Sequence, residues 1–216
     1  DPTDKIGLAG MTGAVMRTGG GGGLSAEQVD AELEQFAADV SIGIGRQSGS
    51  ASLDVLSKDV NRGLEIFAGL IRTPAFDPAR VELVKLQAIE GIRRRQDNPG
   101  SIVGREFAKM LYGVAHPSAR EISLDSVTRI TRDDLVTFHH NTIHPNGMIL
   151  GVTGDFKRDE MVASLRTVFG NWKKGTVPEL RMVDVPEAEL SRPIVRFVGK
   201  ETSQTYLRVG HLSIKE

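Results

Sequence analysis

The sequence is poor in several residue types that mark particular classes of protein. Its 216 residues include no cysteine, one tryptophan and two tyrosines. The lack of cysteine excludes disulfides and thiolate metal sites, and it suits an oxidising compartment such as a periplasm without requiring one. The formal net charge is -1, whereas nucleic acids and anionic membranes attract proteins with a basic excess. No apolar run approaches the roughly 18 residues needed to cross a bilayer. We therefore expect neither a nucleic-acid partner nor membrane insertion.

Helix and strand signals follow one another in an order typical of an α+β fold. Apolar residues at helical spacing predict helices around residues 5–18, 25–38, 60–71, 77–95, 99–111, 131–138 and 161–169. Alternation over Val40–Ile44 predicts a strand with one buried face, and Ser50–Leu56 predicts a second strand after a turn at 47–49. Met148–Val152 predicts a buried strand. Because tight βαβ units are few, we predict helices covering a mainly antiparallel sheet.

Proline and charge mark a predicted domain boundary near the end of the chain. Residues 173–193 hold Pro178, Pro186 and Pro193 with many charges and no helical period, which predicts a linker. Residues 1–172 would then form a first domain, and 194–216 would supply the first strands of a second one, at 194–198 and 205–209. The chain begins at Asp1 with no signal peptide and stops after a strand-like run, so we expect a longer protein.

A run of five glycines, Gly19–Gly23, is the most conspicuous local feature. A phosphate-binding loop would need a preceding strand and a Gly-Lys-Ser/Thr ending, and neither is present. We therefore predict a flexible connection.

The histidines offer a weak metal signal. His140 and His144 have the i, i+4 spacing that zinc peptidases use, but no glutamate between them serves as a base and no third ligand is apparent. An ordinary helix C-terminus is the favoured explanation, because histidine is common there.

One face of the first predicted helix carries unusually small residues. Gly10, Gly13, Ala14 and Arg17 lie at i, i+3, i+4 and i+7, so they share a face. Each glycine inside a helix costs about 1 kcal/mol relative to alanine. Either another backbone packs closely on this face, or a once-functional face has lost its side chains.

The segment around this helix, KIGLAGMTGAVMRTG at residues 5–19, resembles the signature helix of the pitrilysin/insulinase family of zinc metallopeptidases. In active members a Gly-Leu-Ala lead-in precedes His-x-x-Glu-His, whose two histidines bind zinc and whose glutamate is the general base. Matched by position, the first histidine becomes Gly10, the glutamate Gly13 and the second histidine Ala14. The third ligand falls at Gly91, beside Glu90.

The resemblance extends over nearly the whole chain, and the order of the matching pieces carries more weight than any single one. The pieces beyond the first helix are the second helix and strand pair at 25–56, Pro74-Ala75-Phe76, Asp97-Asn98-Pro99, His116-Pro117, the stretch 130–155, Phe169-Gly170-Asn171-Trp172 and Thr202-Ser203-Gln204-Thr205.

The resemblance implies a domain without catalytic residues and without bound zinc. Family members work as paired halves or heterodimers around a chamber, and one half often lacks the metal. We therefore expect a non-catalytic domain or subunit that pairs with an active zinc-bearing partner, or with a second copy of the fold, and helps to form a peptide-binding chamber. The strand Ser41-Ile42-Gly43-Ile44 matches the family's substrate-aligning edge strand, which would bind extended peptides through backbone hydrogen bonds. N-terminal strands of the family fold would precede Asp1.

Three alternatives stay open. The matching strand could be an ordinary sheet strand. The protein could be a structural or peptide-holding scaffold with no role in proteolysis, or a hydrolase whose metal site has moved to His140 and His144. We expect a periplasmic or cell-envelope location, with a cytoplasmic or organellar one as the alternative.

Overall fold

Helices form most of the fold, and a single β-hairpin is the sheet of the described part of the chain. The computed structural model describes residues 1–179, 183 and 193–212. The predicted α+β class is confirmed, although the sheet is small. In chain order the elements are α1 (Leu8–Thr18), α2 (Ala26–Gln35), β1 (Asp39–Ile44), β2 (Gly49–Asp54), α3 (Val60–Arg72), α4 (Pro78–Arg93), α5 (Pro99–Tyr112), α6 (Leu124–Arg129), α7 (Arg132–Thr142) and α8 (Arg158–Phe169).

Local capping signals in the sequence fix where several helices begin. Ser25 accepts from the backbone N–H of Gln28, and the Gln28 side chain accepts from the backbone N–H of Ser25, which forms a capping box at the start of α2. Asp77 caps α4 ahead of a proline at its first position, and Thr131 forms a capping box with Asp134 at α7. The start of α1 is held differently, because the Asp1 carboxylate accepts from the backbone N–H groups of Gly7 and Ala9 at 2.9 and 2.8 Å.

The hairpin is antiparallel, and its register pairs Val40 with Leu53 and Ile44 with Gly49. Val40 is buried, while Ile42 and Ile44 are partly buried against the helices. Ser41 and Gly43 are exposed on the opposite face. The hairpin therefore has the single buried face that the alternation predicts.

Two apolar clusters hold the helices around this hairpin. One joins residues of α1, α4 and α7 with the segment around α6, and its fully buried members include Val15, Val127 and Leu135. The other joins α2, α3 and Val40 of β1. Ile42 packs against both clusters, so β1 lies where they meet.

The five-glycine run is an ordered packing element, and the prediction of a flexible connection is wrong. Gly19, Gly20 and Gly21 are buried. A Cβ at Gly69 of α3 would lie 2.8 Å from the Cα of Gly22, so the two backbones touch. Gly22 N–H donates to the Thr73 carbonyl, and Ala75 N–H donates to Gly20. Glycine is required here because the backbones approach too closely for any side chain.

Three predicted strands are not formed in the described part of the chain. Met148–Val152 carries no strand assignment, and Ile149 is fully exposed. The runs 194–198 and 205–209 are likewise unassigned and largely exposed. A strand needs a hydrogen-bonded neighbour, and the described residues pair none with these runs. Most of the predicted linker at 173–193 and the end of the predicted second domain, 213–216, lie outside the described residues, so the domain division stays a prediction.

Within residues 1–179 and 193–212, no helix has both the length and the apolarity that crossing a bilayer requires.

Candidate functional site

The face of α1 that carries the small residues Gly10, Gly13 and Ala14 lies directly against β1. Gly13 is buried, and a Cβ added there would stand 2.9 Å from the backbone nitrogen of Ile44 and 3.2 Å from its Cγ1. Gly10 is exposed, and a Cβ there would come no closer than 3.9 Å, to the Ile44 carbonyl oxygen. Of the two explanations for this face, close backbone packing therefore applies at Gly13 and not at Gly10.

The residues at the four positions matched to the zinc site do not fit a zinc ion. Gly10, Gly13, Ala14 and Gly91 have no side-chain atom that can bind a metal. Gly91 is exposed with no neighbour within 4 Å of an added Cβ, and the adjacent Glu90 carboxylate is paired with Arg93. Across the part of the chain that the structure describes, no three histidine, cysteine, aspartate or glutamate side chains form a metal-binding group. We therefore derive no chemistry through zinc in this domain.

The histidines of α7 and the turn after it take separate structural places. His139 is partly buried, and its Nε2–H donates to the Ile71 carbonyl at 2.7 Å, while its ring meets Phe76 edge-on. Burial lowers the pKa of His139 below its ordinary value, outweighing the opposing effect of that hydrogen bond. His140 is exposed beside Asn141, and His144 lies under the backbone of Gly175. The described residues bring no third ligand to His140 and His144, so the geometry gives the moved metal site no support.

The turn of the hairpin fixes which backbone groups of β1 face outward. Gly45 N–H donates to the Ser48 carbonyl at 2.8 Å, so this pair is a hydrogen-bonded pair of the antiparallel ladder. Hydrogen-bonded and non-hydrogen-bonded pairs alternate, so Gly43 and Ser41 bond to β2. The N–H and C=O groups of Val40, Ile42 and Ile44 consequently point away from β2, along the opposite edge.

This outer edge is free only over a short stretch. The Val40 carbonyl accepts from Arg17 Nε at 2.6 Å. The backbone groups of Ile42 and Ile44 make no hydrogen bond with the residues that the structure describes. Beyond Ile44, Arg46 ties the hairpin turn to the carbonyls of Ser118 and Arg120.

The four predicted peptide-binding residues thus have two different roles in the hairpin. Ile42 and Ile44 present the outward-facing backbone groups, whereas Ser41 and Gly43 use theirs to hold β2, and the Ser41 hydroxyl bonds to Ser52 across the strands at 2.9 Å. Arg17, which covers the neighbouring carbonyl, is the residue that sequence reasoning missed as part of this edge. Its place on the small face of α1 was visible, but its reach across to β1 was not.

The chain is similar in sequence to a family of inactive peptidase domains and to proteins described as zinc proteases. Residues 129–213 match the family model described as the peptidase M16 inactive domain. An uncharacterized zinc protease of Mycobacterium leprae is 32% identical over 119 residues, which cover 54% of this chain and 26% of that protein.

Solved structures show the same fold. The peptidase M16 inactive domain from Pseudomonas fluorescens is 27% identical with a TM-score of 0.69, over 81% of this chain and 43% of that one. The periplasmic protease PqqL from Escherichia coli is 13% identical with a TM-score of 0.66, over 82% of this chain and 20% of that one, a likeness of fold alone. The chain thus spans less than half the length of these similar proteins.

Proposed function

Because the chain belongs to the M16, or pitrilysin/insulinase, peptidase family, we propose that it is a non-catalytic M16 domain. In this proposal it binds an extended peptide along the outer edge of β1 and works beside a zinc-bearing partner of the same fold. The observation that carries the proposal is that the outward-facing backbone groups of Ile42 and Ile44 have no hydrogen-bond partner among the described residues, beside a helix α1 that lacks the metal ligands and base of the family.

The residues at the positions matched to the zinc ligands and the general base support a non-catalytic role. A catalytic zinc site needs three protein ligands and an open position for water. The residues matched to the ligands and the general base are three glycines and one alanine. At Gly13 even a Cβ would press on the β1 backbone, so the place matched to the base has no room for a side chain without movement of the strand.

The short edge supports the need for a partner. Ile42 and Ile44 offer four backbone groups. A hydrogen bond that replaces bonds to water contributes about 0.5–1.5 kcal/mol net, so pairing with this edge contributes roughly 2–6 kcal/mol to the binding free energy of a peptide. Association costs an estimated 4–15 kcal/mol in lost translation and rotation. Backbone pairing at this edge therefore binds a peptide only weakly, and contacts from a facing surface are required to hold it firmly.

The partner we propose is an M16 chain or half with an intact His-x-x-Glu-His motif, or a second copy of this fold, enclosing a chamber with this domain. The inactive M16 domain among the similar structures supports the non-catalytic role, and this chain matches only 43% of it, which leaves room for a second domain there. We also propose a periplasmic or cell-envelope location, in line with the periplasmic protease that shares the fold.

The test uses the full-length protein and a fluorescent, unstructured eight-residue peptide. Binding is followed by anisotropy with the protein alone and with each M16 chain of the same organism that carries His-x-x-Glu-His, and peptide cleavage is measured in parallel. We expect weak binding alone, and tighter binding with cleavage in one mixture. Binding without any gain in cleavage would instead favour the peptide-holding scaffold. A control peptide with every backbone amide methylated should not bind, because methylation then removes the ladder donors from both edges of the peptide. Equal binding of the control would contradict recognition through the backbone.

A further inference from the structure

Arg17 occupies one of the outward-facing groups of β1. Its Nε donates to the Val40 carbonyl at 2.6 Å, a short bond from a cationic donor. Hydrogen-bonded and non-hydrogen-bonded pairs alternate along β1, so without Arg17 the Val40 carbonyl would be the next outward-facing acceptor after Ile42. A strand added beside β1 must therefore displace the guanidinium or stop short of Val40.

The Arg17 guanidinium is held in place by an ion pair as well as by its bond to β1. Arg17 Nη1 lies 3.1 Å from Asp30 Oδ1 on α2, and the other oxygen of Asp30 lies 3.7 Å from Arg80 on α4. Arg80 in turn pairs with Glu27 at 3.2 Å. The Arg17 side chain is only 25% exposed. Displacing it would break a bond to the strand and a contact within a chain of ion pairs.

We propose that Arg17 is a positioning residue that ends the peptide-binding edge at Val40 and so sets the register of the bound peptide. This inference rests on the proposed function. The ligand class is an extended peptide whose backbone pairs with Ile42 and Ile44, a footprint of about five residues when the flanking residues are counted. Peptide residues that extend beyond that footprint meet the Arg17 guanidinium at the Val40 carbonyl before they can reach the Val40 N–H.

The experiment measures the affinity of a series of unstructured peptides of increasing length for the full-length protein and two variants. Arg17→Met keeps the apolar stem and removes every donor. Arg80→Met is the matched control, because it breaks the same chain of ion pairs without uncovering a β1 carbonyl. Thermal unfolding of both variants reports any general loss of structure.

For the wild type and Arg80→Met, we expect affinity to stop rising at about five residues. For Arg17→Met, two further residues toward Val40 should improve affinity by about threefold to tenfold, which is one additional net hydrogen bond. Methylating the peptide amide that would face Val40 should cancel that gain. A loss of packing alone would not produce a gain that depends on one peptide amide.

A measurement on the wild type alone covers the case in which Arg17→Met fails to fold. Methylating the peptide amide that faces Ile42 should abolish binding, and methylating the amide that would face Val40, two residues further along the peptide, should change nothing. An equal loss at both amides, or the same length limit in all three proteins, overturns the role of Arg17 and leaves peptide binding intact. No binding of any peptide to any of the proteins overturns both this inference and the proposed function.

Discussion

The contact between α1 and β1 leads to a paired prediction for two glycines on the same helix face. Replacing either glycine with alanine gains about 1 kcal/mol of helix propensity. At Gly10 the new methyl group meets only the Ile44 carbonyl at 3.9 Å, so this gain should remain. At Gly13 the methyl group would stand 2.9 Å from the Ile44 nitrogen, and overpacking of this kind costs about 1–3 kcal/mol.

We therefore expect Gly10→Ala to stabilise the protein by up to about 1 kcal/mol. Gly13→Ala should be neutral to about 2 kcal/mol destabilising, as the difference between the two opposing effects. The gap between the variants, about 1–3 kcal/mol, corresponds to roughly 2–12 °C in Tm for a domain of this size. Urea and thermal unfolding of the two variants side by side measure it. Equal stability, or a more stable Gly13→Ala, would refute the close approach of β1 to the helix.

Two further predictions concern a histidine and the glycine run. Folding keeps His139 neutral at pH values where the unfolded chain binds a proton, so stability should be full above about pH 6.5 and fall as pH drops below it. Urea midpoints at pH 7.5 and 5.5 should differ less in His139→Gln than in the wild type, whereas the exposed His140→Gln should keep the full difference. Gly69→Ala should be neutral to about 2 kcal/mol destabilising, because its methyl group would lie 2.8 Å from the Cα of Gly22 and the cost of that contact opposes the gain in helix propensity. Gly91→Ala, with open space at its Cβ, should stabilise it by up to about 1 kcal/mol, and the reverse order of these two unfolding midpoints would count against the ordered glycine run.

Features set by neighbouring residues could be predicted from the sequence. The caps at Ser25, Asp77 and Thr131 depend on side chains that reach only two or three positions along the chain, so their residue types and spacing alone indicate them. The hairpin was predictable for the same reason, since alternation and a turn are local signals. The family resemblance likewise rested on residues that can be aligned without knowing their contacts.

Features set by distant residues could not be predicted. A glycine run is compatible with a mobile loop or with close packing, and only the position of Gly69 on another helix decides between them. Met148–Val152 has the composition of a buried strand, but composition does not supply a hydrogen-bonded partner. Within the site, the bond from Arg17 to Val40 spans 23 positions of the chain and depends on how α1 crosses β1.

Hydrogen exchange at β1 shows whether an extended peptide binds along the outer edge of this strand. The full-length protein is incubated with and without a saturating unstructured peptide, and amide exchange is followed by mass spectrometry in fragments covering residues 39–45. We expect slower exchange of the outward-facing amides of Ile42 and Ile44 when the unmodified peptide is present, and no change with the peptide methylated at every amide. Unchanged exchange in β1 together with peptide-dependent protection elsewhere would show that the peptide binds at another surface and would contradict peptide binding along the outer edge of β1.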